Sequence, residues 1–211
     1  MAFDLRLEKP DDALLAGVRE EDLALLCPER REKFARMKHP GAAVLSYTAG
    51  RLLTEVLCEK LCLTPDTLEL AVGPQGKPYV PGHESFYFNL THTDGLCVLA
   101  YGDEPVGVDC ERLRFRERDK KVAGRCFCEA ECTYIEEAGP DEALFAERFF
   151  RVWTMKESYL KYTGKGISVP LSSFCVDPGR MCVRDVQAVF HEKRYEDYMI
   201  MVCTGGSRAK Q

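Results

Sequence analysis

Apolar positions at Val44, Leu45, Leu52, Leu53, Val56, Leu57 and Leu61 recur every three to four residues and predict a helix over residues 43–61. The same period predicts helices over 23–36, 120–137 and 142–162. Alternation replaces it elsewhere. Residues 67–72, 86–90, 96–101 and 106–110 read as strands, as do 173–176, 186–191 and 198–202. Thr93-Asp94-Gly95 is placed to turn one strand into the next, and Gly102-Asp103-Glu104-Pro105 makes a second turn. The Gly- and Pro-rich stretches 73–78 and 164–166 read as loops. Two blocks of similar length, each with helices before strands, predict an α+β protein of two similar α/β lobes. The expected boundaries are 1–104 for the first lobe, 105–204 for the second and 205–211 for a frayed polar tail.

Composition narrows the class. Hydrophobic residues make up 45% of the 211 positions and charged residues 30%, enough apolar material for a core. The longest apolar runs, such as 96–101, fall far short of the roughly 18 residues that span a bilayer. The opening MAFDLRLEKPDD has no apolar core of a signal sequence, so a cytoplasmic chain that does not engage membranes is expected. A net charge of −5 argues against general nucleic-acid binding. Eleven cysteines contain no C-x-x-C, and Cys126, Cys128 and Cys132 lack a second ligand pair at zinc-finger spacing. They are expected to be reduced, mostly buried thiols acting as small hydrophobes.

Two segments carry the strongest chemistry. On a strand through Gly107-Val108-Asp109-Cys110-Glu111, Asp109 and Glu111 share one face and Val108 and Cys110 the other. Paired carboxylates repel unless solvated or gripping a cation, and hard oxygen ligands favour Mg²⁺. The plain alternative is an exposed acidic strand face. Residues 148–162 form an amphipathic helix whose apolar arc holds Phe149, Val152, Trp153, Met155, Tyr159, Leu160 and Tyr162. Lys156 projects into that arc and Glu157 sits at its edge, a costly placement unless each has a partner. A Glu157–Lys161 pair one turn apart would explain part of it. A third carboxylate for a Mg²⁺ held by Asp109 and Glu111 explains it better.

Weaker signals stand beside these. Thr91 and His92 leave a strand together just before Asp94-Gly95, which suits a phosphate oxygen but also an ordinary surface turn. Residues 29–38 hold five basic side chains against two acids, either a solvated helix face or an anion site. Residues 112–125 hold seven basic side chains against Glu117 and Asp119 in a chain that is acidic overall. Directly following Glu111, that patch would lie at the mouth of any metal site and would attract an acidic partner.

Taken together, the G-V-D-C-E strand, the W-T-M-K-E-S-Y-L-K helix, Phe88-Asn89-Leu90-Thr91-His92, Gly76-Lys77-Pro78 and Gly164-Lys165-Gly166 stand in a fixed order. In that order the chain resembles 4′-phosphopantetheinyl transferases of the Sfp (surfactin-synthetase-activating) type over residues 28–174. The resemblance implies two lobes related by pseudo-two-fold symmetry with coenzyme A in the cleft between them. It implies Mg²⁺ on Asp109, Glu111 and Glu157, with Glu157 and Lys161 catalytic. Lys161, Thr91 and His92 would meet the phosphates, and Arg30, Arg31, Lys33 and Lys77 would lie near the adenosine 3′-phosphate. Ser46 stands where relatives carry a basic residue.

The implied reaction moves phosphopantetheine from coenzyme A to a serine of an acidic apo acyl or peptidyl carrier protein, releasing 3′,5′-ADP, with the enzyme a monomer. Glu157 is the first choice for taking the serine proton, directly or through a metal-bound water; Glu131 is a second candidate, more plainly read as a surface carboxylate. A Mg²⁺-dependent phosphohydrolase of nucleotides and a non-catalytic binding module are the alternatives.

Overall fold

The computed structural model describes residues 3–11, 14, 17–74 and 76–206. The chain divides into two units, Met1–Asp103 and Glu104–Gln211. In the first, β1 (Asp4–Glu8) is followed by α1 (Glu20–Leu23), α2 (Pro28–Ala35) and α3 (Pro40–Leu61). The short strands β2 (Ala71–Val72) and β3 (Pro78–Tyr79) pair with each other. The hairpin β4 (Tyr87–Thr93) and β5 (Leu96–Gly102) joins β1 in an antiparallel sheet of order β1-β5-β4. Asp94-Gly95 closes that hairpin, with Gly95 at φ 84°, a conformation that glycine adopts without strain. The core of the unit is one face of α3, with Leu53, Val56 and Leu57 fully buried, against Phe88, Cys97, Leu99 and Tyr101.

Several expected boundaries move, each for a local reason. The helix expected over 23–36 is broken between Leu23 and Pro28. Pro28 starts a new helix because its missing N–H is not needed there, and the buried Cys27 N–H donates to Thr54 Oγ1 at 3.1 Å. The strand expected over 67–72 shrinks to two residues, because Thr67 closes a turn on Thr64. β1 was not expected. Asp4, Arg6 and Glu8 punctuate its two leucines, so its apolar alternation is too short to register.

The second unit begins with β6 (Val106–Arg112), then α4 (Glu117–Cys126), α5 (Glu129–Glu136) and α6 (Glu142–Thr163). Four strands complete it: β7 (Val176–Asp177), β8 (Cys182–Val183), β9 (Ala188–Tyr195) and β10 (Tyr198–Gly205). Its sheet is antiparallel with order β6-β10-β9-β8-β7. The helix expected over 120–137 is two, interrupted at Phe127 and Cys128. α6 matches expectation closely: Asp141 Oδ1 accepts from the Ala143 and Leu144 N–H groups, and Gly164 ends the helix at φ 72°. Phe145, Phe149, Val152 and Met155 of α6 pack with Met199, Met201 and Cys203 of β10 in the core. The strand runs to Gly205, past the expected end of the lobe; residues 207–211 lie outside the described residues.

Like the first unit, this one lays a helix of 22 residues on an antiparallel sheet. No helix among the described residues is long and apolar enough to cross a membrane. The cysteines depart from expectation: nine are free, of which Cys27, Cys97, Cys110 and Cys203 are buried, while Cys128 and Cys175 are joined in a disulfide.

One contact sets the depth at which α6 lies on β6. A Cβ placed on Gly107 would come within 2.2 Å of both the Ser158 carbonyl oxygen and the Tyr162 nitrogen. Those are backbone atoms, so a rotamer change does not relieve the clash. Gly107→Ala is therefore expected to destabilise the unit by about 1–3 kcal/mol or more, lowering Tm by roughly 2–12 °C in a thermal melt. Wild-type stability in that variant would show that helix and strand do not touch there.

Candidate active site

Gly107, Asp109 and Glu111 lie on one face of β6, with Val108 and Cys110 on the other, as the alternation predicts. The acidic face is not exposed, however. Asp109 is buried and Glu111 half-buried. Glu157 and Lys161 each precede by one the helix residues, Ser158 and Tyr162, whose backbone meets Gly107. Lys161 Nζ donates to Asp109 Oδ1 at 2.6 Å, an ion pair between helix and strand in place of the Glu157–Lys161 pair considered from spacing. Burial and the like charge of Asp109 push the Glu157 carboxyl above the usual range, and Lys161 opposes them. The Lys161 ammonium thus bonds Asp109 and also acts on the neighbouring Glu157 carboxylate. The hard oxygens of Asp109 and Glu157 and their like charge fit a divalent cation such as Mg²⁺.

Lys156 and Glu131 form a second, separate charge centre. Both side chains are fully buried, with Lys156 Nζ 2.9 Å from Glu131 Oε1. The ammonium also donates to the carbonyls of Leu171 at 2.8 Å and Phe174 at 2.5 Å, and lies 4.4 Å from the centre of the Phe174 ring. The Glu131 carboxylate accepts from the Val176 N–H at 2.7 Å and the Cys128 N–H at 2.8 Å. Glu131 is therefore not a surface carboxylate, and its oxygens are committed. Lys156, out of place in an apolar arc, has found the partner such a placement requires.

In the first unit, Arg30 and Lys33 lie on α2, where burial disfavours both charges and Arg30 further disfavours that of Lys33. Two crowded cations of this kind suit an anion. Arg31 differs: its guanidinium donates to the Leu23 and Ala24 carbonyls and pairs with Asp66 Oδ1 at 2.7 Å. It ties α2 to the chain on either side. Thr91 and His92, expected to leave the strand together, fall on opposite faces of β4, Thr91 buried and His92 exposed. Lys77 lines a pocket of about 180 Å³ with Pro78, Tyr79, Glu84, Phe86 and Phe88. Ser46 is half-buried on α3.

Residues 105–203 match the model of the 4′-phosphopantetheinyl transferase superfamily. A 4′-phosphopantetheinyl transferase of Bacillus subtilis is 30% identical over 92% of this chain and 88% of its own length. The chain belongs to the 4′-phosphopantetheinyl transferase family. The transferase Sfp of Bacillus subtilis strain 168 is 28% identical over 87% of this chain and 84% of its own, and psf-1 of Bacillus pumilus 32% over 82% and 72%.

In this transferase the basic stretch 112–125 is partly neutralised by nearby acids. Lys120 pairs with Glu117 at 3.0 Å and Arg112 with Asp197 at 2.5 Å. Arg118 lies 3.9 Å from Asp119, and with Arg116 it lines a pocket of about 370 Å³ that includes Glu111, Asp119, Val122, Phe149, Phe150 and Trp153. The Lys156–Glu131 pair and this pocket were missed from the sequence. Only the cost of a lysine in an apolar arc signalled the first.

The carboxylate crowding is measurable. Glu157 should titrate above the usual glutamate value in the metal-free protein, staying protonated to a higher pH than an exposed glutamate. Asp109→Asn removes the like charge and frees Lys161, so the Glu157 titration, followed by carboxyl-carbon NMR, is expected to move down. An unchanged Glu157 titration would mean the two carboxylates do not interact.

Proposed function

We propose that this transferase moves the 4′-phosphopantetheine group of coenzyme A to a serine hydroxyl of an apo carrier protein, in a Mg²⁺-dependent reaction that releases 3′,5′-ADP. The observation that carries the reading is Lys161 bonded to a buried Asp109 beside a Glu157 of raised pKa, in a chain of this family. The shared helix-on-sheet design of the two units supports the reading of two similar lobes.

Asp109, Glu111 and Glu157 would hold the Mg²⁺, which when bound neutralises pyrophosphate charge and stabilises the leaving phosphate. Lys161 orients Asp109 and presents a fixed cation on the leaving side. Glu157 accepts the serine proton. It does so directly or through an intervening water, the positioned carboxylate acting as general base. Arg30 and Lys33 take the 3′-phosphate, with Lys77 beside the adenosine and Thr91 and His92 contributing at the phosphates. Arg31 supports α2 rather than the ligand, given its bonds to Asp66 and two carbonyls.

The decisive assay incubates apo carrier protein with coenzyme A, Mg²⁺ and the enzyme, and weighs the carrier. A gain of about 340 Da on serine is expected, the mass of the transferred group carrier. Asp109→Asn is expected to cut the rate by about 10²–10³, the scale of one lost electrostatic stabiliser. Free phosphopantetheine released without a carrier would make the enzyme a phosphohydrolase, and failure to bind coenzyme A would leave a binding module for something else.

A charge-assisted bond to phosphate contributes roughly 1.5–3 kcal/mol, so Arg30→Ala is expected to weaken coenzyme A binding about 10- to 150-fold. Dephospho-coenzyme A, which lacks the 3′-phosphate, is expected to bind the variant and the wild type alike. Equal losses for both ligands in calorimetry would move Arg30 away from that phosphate.

The partner is an acidic carrier protein docking on the basic stretch after β6. Because Arg116 and Arg118 line the pocket that includes Glu111, the informative reversal is Arg116→Glu with Arg118→Glu. It is expected to raise the KM for carrier, with little change in coenzyme A affinity, and the effect is expected to shrink as salt screens it beyond about 8 Å. An unchanged carrier KM at low salt would remove these arginines from the interface.

A further inference from the structure

The Lys156–Glu131 ion pair depends on backbone donors from two separate stretches of chain. Glu131 Oε2 is held by the N–H of Cys128, at the start of α5, and Oε1 by the N–H of Val176, at the start of β7. Lys156 adds the carbonyls of Leu171 and Phe174. The segment 171–176 is thus folded onto α6 at the residue next to Glu157. Cys128 and Cys175 sit at the two points where these stretches meet. They are joined across 47 residues of sequence, with Cα atoms 6.1 Å apart. Cys175 is the neighbour of Val176, and its carbonyl accepts from the Arg184 N–H at 3.0 Å, which ties the same point to the sheet.

We propose that Cys128 and Cys175 are a thiol–disulfide exchange site whose oxidised form staples segment 171–176 to the start of α5 and so locks the Lys156–Glu131 frame under the catalytic helix. The oxidant is a small disulfide such as oxidised glutathione. The thiolate of one cysteine attacks it, forming a mixed disulfide and releasing one glutathione. The second cysteine thiolate then attacks the protein sulfur of that mixed disulfide and releases the second glutathione. Two thiols have lost two electrons and two protons, and one glutathione disulfide has become two glutathione thiols. Both cysteines are partly exposed, so a reagent of this size reaches them. Cys128 at the N-cap of α5 is the better first nucleophile, since a helix N-terminus favours the thiolate.

The same two sulfurs lie within 4.8 Å of a Glu131 oxygen, a spacing that also admits a metal. The carboxylate argues against it. Both its oxygens already serve backbone N–H groups and a buried ammonium, and a metal would have to displace them.

The test uses the full chain, reduced and then equilibrated with oxidised glutathione. Peptide mass spectrometry is expected to find residues 128 and 175 linked, two hydrogens lighter than the free pair. Reducing the linked protein is expected to lower Tm by roughly 4–16 °C, the shift that a disulfide of this loop size produces in a chain of this length. It is also expected to speed hydrogen exchange at the Val176 and Arg184 amides. Cys128→Ser and Cys175→Ser are each expected to fold, since serine is a good N-cap and a close isostere, and to lose the redox dependence of Tm. Linkage through other cysteines, or a redox-dependent Tm that persists in both variants, would overturn the proposal. So would stoichiometric zinc in the reduced protein. These readouts do not involve carrier labelling, so a failure here and a failure of the transferase reading are separable.

Discussion

The absence of a side chain at Gly107 lets the backbone of α6 rest directly on β6, and the arrangement of the second unit follows from that contact. With Ser158 and Tyr162 against the strand, the preceding residues Glu157 and Lys161 are carried to the side where Asp109 lies, two positions along the same strand face. A methyl group at Gly107 would hold the helix off and open the 2.6 Å bond between Lys161 and Asp109. The strand alternation then sends Val108 and Cys110 to the opposite, buried face, so one strand serves both the core and the charged cluster.

Seating a charged helix so closely has a consequence on its other side. Lys156 is driven into the interior, where an unpaired ammonium is costly, and burial alone lowers its pKa. Glu131 offsets part of that cost, held in place by the N–H groups of Cys128 and Val176. The apolar face of α6, its one misplaced lysine and the break between α4 and α5 are therefore parts of one arrangement. Phe127 and Cys128 interrupt the expected single helix at the point where the Cys128 N–H bonds Glu131. The disulfide from Cys128 to Cys175 spans the same joint.

What was legible in the sequence was local. The α6 helix, its Asp141 and Gly164 ends, the β4–β5 hairpin and the shared face of Asp109 and Glu111 all follow from periodicity and turn chemistry within a few residues. What was not legible depends on partners far along the chain. Glu131 reads as a surface acid until Lys156 is brought to it, and Arg31 reads as part of a basic cluster until Asp66 and the Leu23 carbonyl claim it. The opposite faces of Thr91 and His92 are a local fact that strand alternation already implies. Their joint reading as a phosphate pair overrode it. Of the strand expected over 173–176 only Val176 falls in β7, and β8 escaped because two residues of alternation carry no signal.

Gly107 brings Glu157 to Asp109, and under the proposed function these carboxylates hold one divalent cation. The most direct measurement is an electron-paramagnetic-resonance titration of Mn²⁺, in place of Mg²⁺, with coenzyme A present, comparing the wild type with Glu157→Gln. One bound Mn²⁺ per chain is expected in the wild type, with binding weakened about tenfold or more in the variant, the range in which a lost ligand contributes upward of 1.4 kcal/mol. Equal Mn²⁺ binding in the two proteins would contradict that role for Glu157.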